Sequence, residues 1–267
     1  MIRTETITSI RNPLLRDIRR AVQKGGLTPD GFCVAGTFHL LEEALRSRRP
    51  VPAVLVTRSA AGEVEARLRR GGAAGTRLLL LEDDLLAEVS GTETAQGVVA
   101  LVEPPAWKLE DLFRGCPLVL ALDGVQDPGN AGALVRAAEA FGATGVVFLK
   151  GSAHPFHVRT IRASAGSLFR LPAVSGLEAG ALVVECVRRR VALFAAVAHG
   201  GRMLDEAGLT KPCLLAIGSE AQGVGAVLKD AAAGLRIPTH GVESLNAAAA
   251  GAVLLYEAAR QRRGRGA

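Results

Sequence analysis

The chain is poor in the residues that staple small folds or hold metals. Its four cysteines, Cys33, Cys116, Cys186 and Cys213, are scattered with no C-x-x-C pair. That excludes a disulfide framework and leaves no zinc signature. His154 and His157 stand three apart in "HPFH" without a carboxylate or thiolate close by, so no metal is expected. Long apolar runs are also missing: hydrophobic content is 49%, but no stretch approaches the roughly 18 residues of a membrane span. The opening "MIRTETITSIRNPLLRDIRR" lacks the continuous apolar core of a secretory signal, and Glu5 and Asp17 argue against a transit peptide. A cytoplasmic protein is therefore expected. G-x-G-x-x-G, G-x-x-x-x-G-K-[ST] and G-x-S-x-G are all absent, so the common dinucleotide, P-loop and hydrolase readings find no support.

What is present is length, positive charge and a joint. At 267 residues the chain can hold one large domain or two modest ones. Net charge is +6, and the excess gathers at the ends: residues 1–24 carry six basic and two acidic side chains, and residues 260–267 carry four Arg and no acid. Such a balance fits a polyanionic partner as well as it fits a solvated surface with a basic tail. "VEPPAWKLEDLFRGCP", from Val102 to Pro117, contains Pro104–Pro105 and the only Trp and reads as a linker. Before it, alternating patterns predict helices over 13–24, 38–48 and 63–70 and strands over 32–35, 51–57, 78–81 and 97–102, a small α/β unit. After it, an apolar run at 118–122, helical spacing over 130–141 and a second run at 145–149 make a βαβ unit, hence a parallel sheet. Further strands are expected at 191–198, 213–217 and 234–237.

Open parallel sheets bind ligands beyond the carboxyl ends of their strands, and three loops there are rich in special residues. "DGVQDPGNAGALVR" follows Leu122; its Asn130 is expected to cap the next helix, with Arg136 about one and a half turns in. "GSEAQGVG" follows Ile217 and sets Glu220 between Gly218 and Gly223. "IPTHGVESLN" leads through Ser244 and Asn246 into the Ala-rich "AAAAGAVLLYEAARQ". Taken singly, a cap and a paired acid explain each; three such loops at one sheet point to a site.

"DPGNAGALVRAAEAFG", "AIGSEAQGVG" and "IPTHGVESLNAAAAGAVLLYEAARQ" resemble, in order and spacing, the three motifs of the SpoU (TrmH-like) RNA ribose 2′-O-methyltransferases of the SPOUT class. "VRTIRASAGSLFRLP" is similar to the segment between the first two motifs, and "ITSIRNPLLRDIRR", "VAGTFHLLEEAL" and "TETAQGVVAL" are similar to the substrate-binding domain that precedes catalysis in many members. Ala35 and Ala95 depart from the family's usual Glu and Pro.

The resemblance implies an RNA substrate-binding domain at 1–105, a linker at 106–116 and, at 117–267, a parallel-sheet SPOUT domain with a deep trefoil knot. It implies S-adenosylmethionine held mainly by backbone near Gly218, Ile237 and Leu245, and methyl transfer to a ribose 2′-hydroxyl. Asn130, Arg136, Glu220, Ser244 and Asn246 would carry the chemistry. A guanidinium stays protonated, so Arg136 reads as a clamp on phosphate or developing alkoxide as readily as a base. Structured RNA, ribosomal rather than transfer RNA, would meet Arg11, Arg16, Arg159, Arg162 and Ser164. A homodimer through the catalytic domain is implied, and no membrane partner. The alternatives are a transfer-RNA methyltransferase, a non-catalytic RNA-binding protein on the same fold, or a small-molecule enzyme without RNA affinity.

Overall fold

Apolar runs without alternation form strands buried on both faces, and they do so in two separate sheets. The computed structural model describes residues 3–73, 75–90 and 96–263; Ala95 and the last residues of the basic tail lie outside them. The chain divides into two compact units, Met1–Ala106 with Phe156–Arg170, and Trp107–Pro155 with Leu171–Ala267.

The first unit runs β1 (Arg3–Thr6), α1 (Pro13–Lys24), β2 (Cys33–Ala35), α2 (Phe38–Arg46), β3 (Ala53–Thr57), α3 (Ala61–Arg70), β4 (Arg77–Leu81), α4 (Asp83–Ser90) and β5 (Val98–Val102). The sheet order is β1-β4-β3-β5-β2, with β5 antiparallel to both of its neighbours. The ends of α1 fall where its residues dictate: the Asn12 side chain accepts from the Leu14 amide, Pro13 follows at the first helical position, and Gly25 closes the helix in the left-handed region. Two elements were not expected. β1 is a polar edge strand, "RTET", and α4 begins two residues after β4, so neither carries a long periodic pattern.

The second unit begins with β6 (Leu118–Asp123), α5 (Pro128–Ala140) and β7 (Gly145–Leu149). It is interrupted by α6 (Val158–Ser164), then continues with β8 (Ala173–Leu177), α7 (Ala179–Arg188), β9 (Ala192–Ala196), β10 (Arg202–Met203), β11 (Cys213–Gly218), α8 (Ala226–Ala231), β12 (Ala233–Arg236) and α9 (Ala247–Arg263). Its seven strands lie in the order β10-β12-β9-β11-β6-β7-β8, every pair parallel. β6 and β11 are central neighbours, so the loops that follow them emerge side by side. β8 and β10 escaped sequence reading: β8 is a half-exposed edge strand interrupted by Gly176, and β10 has two residues.

One stretch after residue 117 packs away from the second sheet. Phe156–Arg170 packs with the first unit: a Cβ on Gly25 would fall 2.2 Å from the His157 ring, and one on Gly166 would fall 2.5 Å from Glu43, whose buried carboxylate pairs with Arg170. These contacts fix α6 between elements that are distant in sequence.

α9 packs along α5 and β11. Gly251 faces α5 so closely that a Cβ there would lie 2.1 Å from Leu134 Cδ2. The other end of α9 corrects the expectation of a basic tail. Arg260 pairs with Glu257, holding that carboxyl below the usual carboxylate range. The Arg262 guanidinium donates to the carbonyls of Leu209 (2.9 Å), Lys211 (2.8 Å), Cys116 (2.9 Å) and Pro117 (3.0 Å). One cation thus ties the chain entering β11 to the chain entering β6. Arg262→Ala strips two partly buried carbonyls and two exposed ones of a charged donor, and is expected to cost about 2 kcal/mol and lower Tm by roughly 4–8 °C. Arg263→Ala, at an exposed position, should shift stability by no more than about 0.5 kcal/mol. Thermal melts followed by circular dichroism compare the two; equal effects would refute the clamp.

Candidate active site

The three motif loops meet through one set of amides. In the first loop Asp127, not Asn130, is the cap: its side chain accepts from the Asn130 amide, and Pro128 takes the first helical position. Asp-Pro is the stronger start signal, so the helix begins earlier than expected and Asn130 falls in its first turn. Its side chain is thereby freed to reach across, and Nδ2 donates to Glu220 Oε1 at 2.9 Å. In the third loop Asn246 caps α9, its Oδ1 accepting from the amides of Ala248 (2.9 Å) and Ala249 (3.3 Å). Its Nδ2 donates to Glu220 Oε1 at 2.7 Å and to Asn130 Oδ1 at 3.2 Å. One carboxylate oxygen therefore receives two amide donors, and both polar atoms of the Asn246 side chain are used.

Glu220 also borders a cavity of about 410 Å³, within the roughly 300–1,000 Å³ of small-ligand sites. Gly218, Ile237, Ser244 and Leu245 line it. So do His199 and Lys229, which sequence reading missed because the loop after β9 and the short α8 carry no motif. Much of the wall comes from glycines and small side chains, including Ala247 and Ala250 of α9. The loop after β11 is a tight reversal: Ser219 and Gly223 exchange both backbone hydrogen bonds, at 3.1 and 2.9 Å, and Gly223 has φ +68°. The strand enters that reversal through Gly218, where a Cβ would lie 1.9 Å from the Gly223 carbonyl carbon. Only glycine lets the two passes of chain lie against each other.

Arg136 stays outside the cluster. It is exposed on α5, and among the described residues it makes no hydrogen bond or ion pair. Six residues at 100° each place it roughly 240° around the helix from Asn130, and since Asn130 is inside the helix the two do not share a face. Of the residues assigned to RNA, Arg11, Arg16, Arg159 and Arg162 are exposed, and all four belong to the first compact unit. Ser164 is a correction: it is 0% exposed, and its hydroxyl donates to the Ile161 carbonyl at 2.8 Å. A serine in the last turn of a buried helix bonds back to its own backbone and is not available to a partner.

Fold and site define an enzyme of the parallel α/β type with a small-molecule cavity at the carboxyl ends of its central strands. The chain belongs to the SpoU rRNA methylase family, whose model matches residues 117–256; residues 38–107 match the model described as RNA 2′-O ribose methyltransferase substrate binding. The 23S rRNA (guanosine(2553)-2′-O)-methyltransferase RlmP of Bacillus subtilis is 32% identical over 94% of this chain and 97% of its own. The SpoU methyltransferase AviRb from Streptomyces viridochromogenes, solved in complex with AdoMet, superposes with a TM-score of 0.84 at 30% identity, covering 95% of this chain and 99% of that one. An AdoMet-bound rRNA methyltransferase from Sinorhizobium meliloti does so with a TM-score of 0.81 at 28% identity, over 96% and 98%.

Gly218→Ala forces the reversal apart. It is expected to weaken S-adenosylmethionine binding at least about tenfold, 1.4 kcal/mol, while the circular dichroism spectrum stays that of the parent. Calorimetric titration of both proteins decides; unchanged affinity means that the loop does not shape the cavity.

Proposed function

We propose that the chain transfers a methyl group from S-adenosylmethionine to a ribose 2′-hydroxyl of ribosomal RNA, in the cytoplasm and without a metal. The observation that carries this reading is the Asn130–Glu220–Asn246 cluster at the rim of a cavity lined largely by glycines and small side chains. The residues present fit the cofactor: Gly218 lets the Ser219–Gly223 reversal close tightly as one wall, and Ile237, Leu245, Ala247 and Ala250 line the cavity with apolar surface that suits an adenine ring. S-Adenosylmethionine supplies an electrophilic methyl on a sulfonium. What remains for the protein is to place the ribose oxygen, help it lose its proton and meet the charge that develops. Asn130, Glu220 and Asn246 fix the three loops relative to one another, and Ser244 faces the cavity. Arg136, permanently charged, serves as the clamp on phosphate and alkoxide. Ribosomal RNA is favoured because the Bacillus subtilis relative, matched along nearly the whole chain, is a 23S rRNA enzyme. The basic residues Arg11, Arg16, Arg159 and Arg162 of the first unit are read as its phosphate contacts.

A homodimer and a trefoil knot in the sheet domain complete the reading. Support for the dimer is an apolar flank. Arg136 and Ala140 lie exposed one turn apart on α5, the Phe141 ring meets Tyr256 of α9 edge-on at 5.7 Å, and Val253 and Tyr256 remain 38% and 49% exposed. A second copy covering this flank brings Arg136 to the joint between subunits. Light scattering at micromolar concentration should give a dimer for the parent chain and a monomer for Ala249→Glu with Val253→Glu.

Mapping ribose methylation in total RNA with and without the gene tests the activity and reveals the target. Arg136→Ala should cut single-turnover methylation by roughly 10²-fold or more and leave cofactor affinity nearly intact. Arg136→Lys should also lose most activity, because an ammonium cannot make the planar two-pronged contact. Near-normal methylation by the Ala variant would move the search to Glu220 and Asn246.

A further inference from the structure

Asp123 is the last residue of β6 and stands in register with Gly218 of β11. Its Oδ2 accepts from the Gly225 amide at 2.7 Å, a bond spanning 102 residues of sequence. Gly225 is the residue before α8 and has no side chain with which to cap it. A Cβ there would lie 3.0 Å from Asp123 Oδ2, so the glycine lets the carboxylate approach. The chain from Ser219 to Gly225 is thus pinned at four points: the Ser219–Gly223 exchange, the Glu220 carboxylate that receives Asn130 and Asn246, the buried Val224, and Asp123. Ser219 to Val224 form one wall of the cavity; the Ser219–Gly223 exchange lies within the loop itself, while Val224 packs into the core. Among the described residues, Asp123 is the strand-end side chain that bonds this loop's backbone. The backbone of Asp123's own side is held as well, since Ser152 Oγ accepts from the Gly124 amide at 3.0 Å and donates to the Leu122 carbonyl at 2.9 Å.

We propose that Asp123 is a positioning residue for cofactor binding: its carboxylate, by holding the Gly225 amide, sets the wall of the cavity that receives S-adenosylmethionine. This rests on the reading of that cavity as the cofactor site. Asp123 acts through the loop and not on the reacting atoms. Removing the acceptor therefore loosens binding without slowing the bound complex. Asn keeps an acceptor oxygen at the same reach, so it rescues.

The test uses the full chain and steady-state methylation of its RNA, with calorimetric titration of S-adenosylmethionine on the same preparations. Asp123→Ala should raise KM and Kd for S-adenosylmethionine about tenfold or more, with kcat within about threefold. Asp123→Asn should recover most of the affinity. RNA affinity should not change in either variant. A fall in kcat with unchanged KM makes Asp123 part of the chemistry and overturns the proposal, as does an Asn variant as weak as Ala. Failure of the parent chain to bind S-adenosylmethionine at all would instead refute the cavity assignment.

Discussion

The site depends on one side-chain amide being used at both ends. Asn246 Oδ1 starts α9, and Nδ2 gathers Glu220 and Asn130. Helix initiation and site assembly are therefore the same event. Asp at this position would keep the cap acceptor but lose both donors and set a second carboxylate against Glu220. Ser or Thr would cap the helix yet offer a single hydroxyl too short to span three loops. The cluster also explains how the Glu220 carboxylate sits at this spot with no ion pair among the described residues: two amide donors converge on one oxygen, and the residue is exposed to water.

The parallel sheet supplies the other half of the arrangement. Because β6 and β11 are hydrogen-bonded neighbours in matched register, the loops after them start at the same height. Asp123 then reaches Gly225 and Asn130 reaches Glu220 with no long side chain. Close approach is carried by glycines at two scales: Gly218 lets a strand touch the chain that doubles back over it, and Gly251 lets a helix touch its neighbour. The Ala-rich start of α9 divides its small residues, with Ala247 and Ala250 bordering the cavity and Ala249 facing outward.

Much of this was legible in sequence, for physical reasons that differ by element. β6, β7 and β11 were visible because a sheet covered on both faces needs unbroken apolar runs, and α1 was visible because Asn12, Pro13 and Gly25 each do one job at a helix end. The cavity residues Gly218, Ile237, Ser244 and Leu245 came from family likeness, not from periodicity. Asn130 was legible as a site residue and misread as a cap, because Asp127 three residues earlier competes for that role. Ser164 looked like a polar contact and is a buried hydroxyl bonded to its own helix. Arg262 looked like tail charge; nothing in "ARQRRGRGA" distinguishes the one Arg that meets four carbonyls from its neighbours. Asp123 stood in plain view at the end of an apolar run, but its partner is 102 residues away, and local spacing says nothing of such a bond. The same distance hid the packing of Phe156–Arg170 with the first unit.

The position of α9 has a consequence for biosynthesis. Through Arg236 a nascent chain has emerged with all seven strands of the second sheet in hand, enough to collapse around the β6–β11 pair. It still has neither Asn246 at one end of the sheet nor Arg262 at the other. The Leu134 face of α5 is uncovered, and the carbonyls before β6 and β11 lack their guanidinium. Until α9 arrives, the domain is a sheet with an apolar helix open to chaperones and to other chains, and the Asn130 and Glu220 loops have no third member. Competence for the cofactor is thus gated by synthesis of this helix.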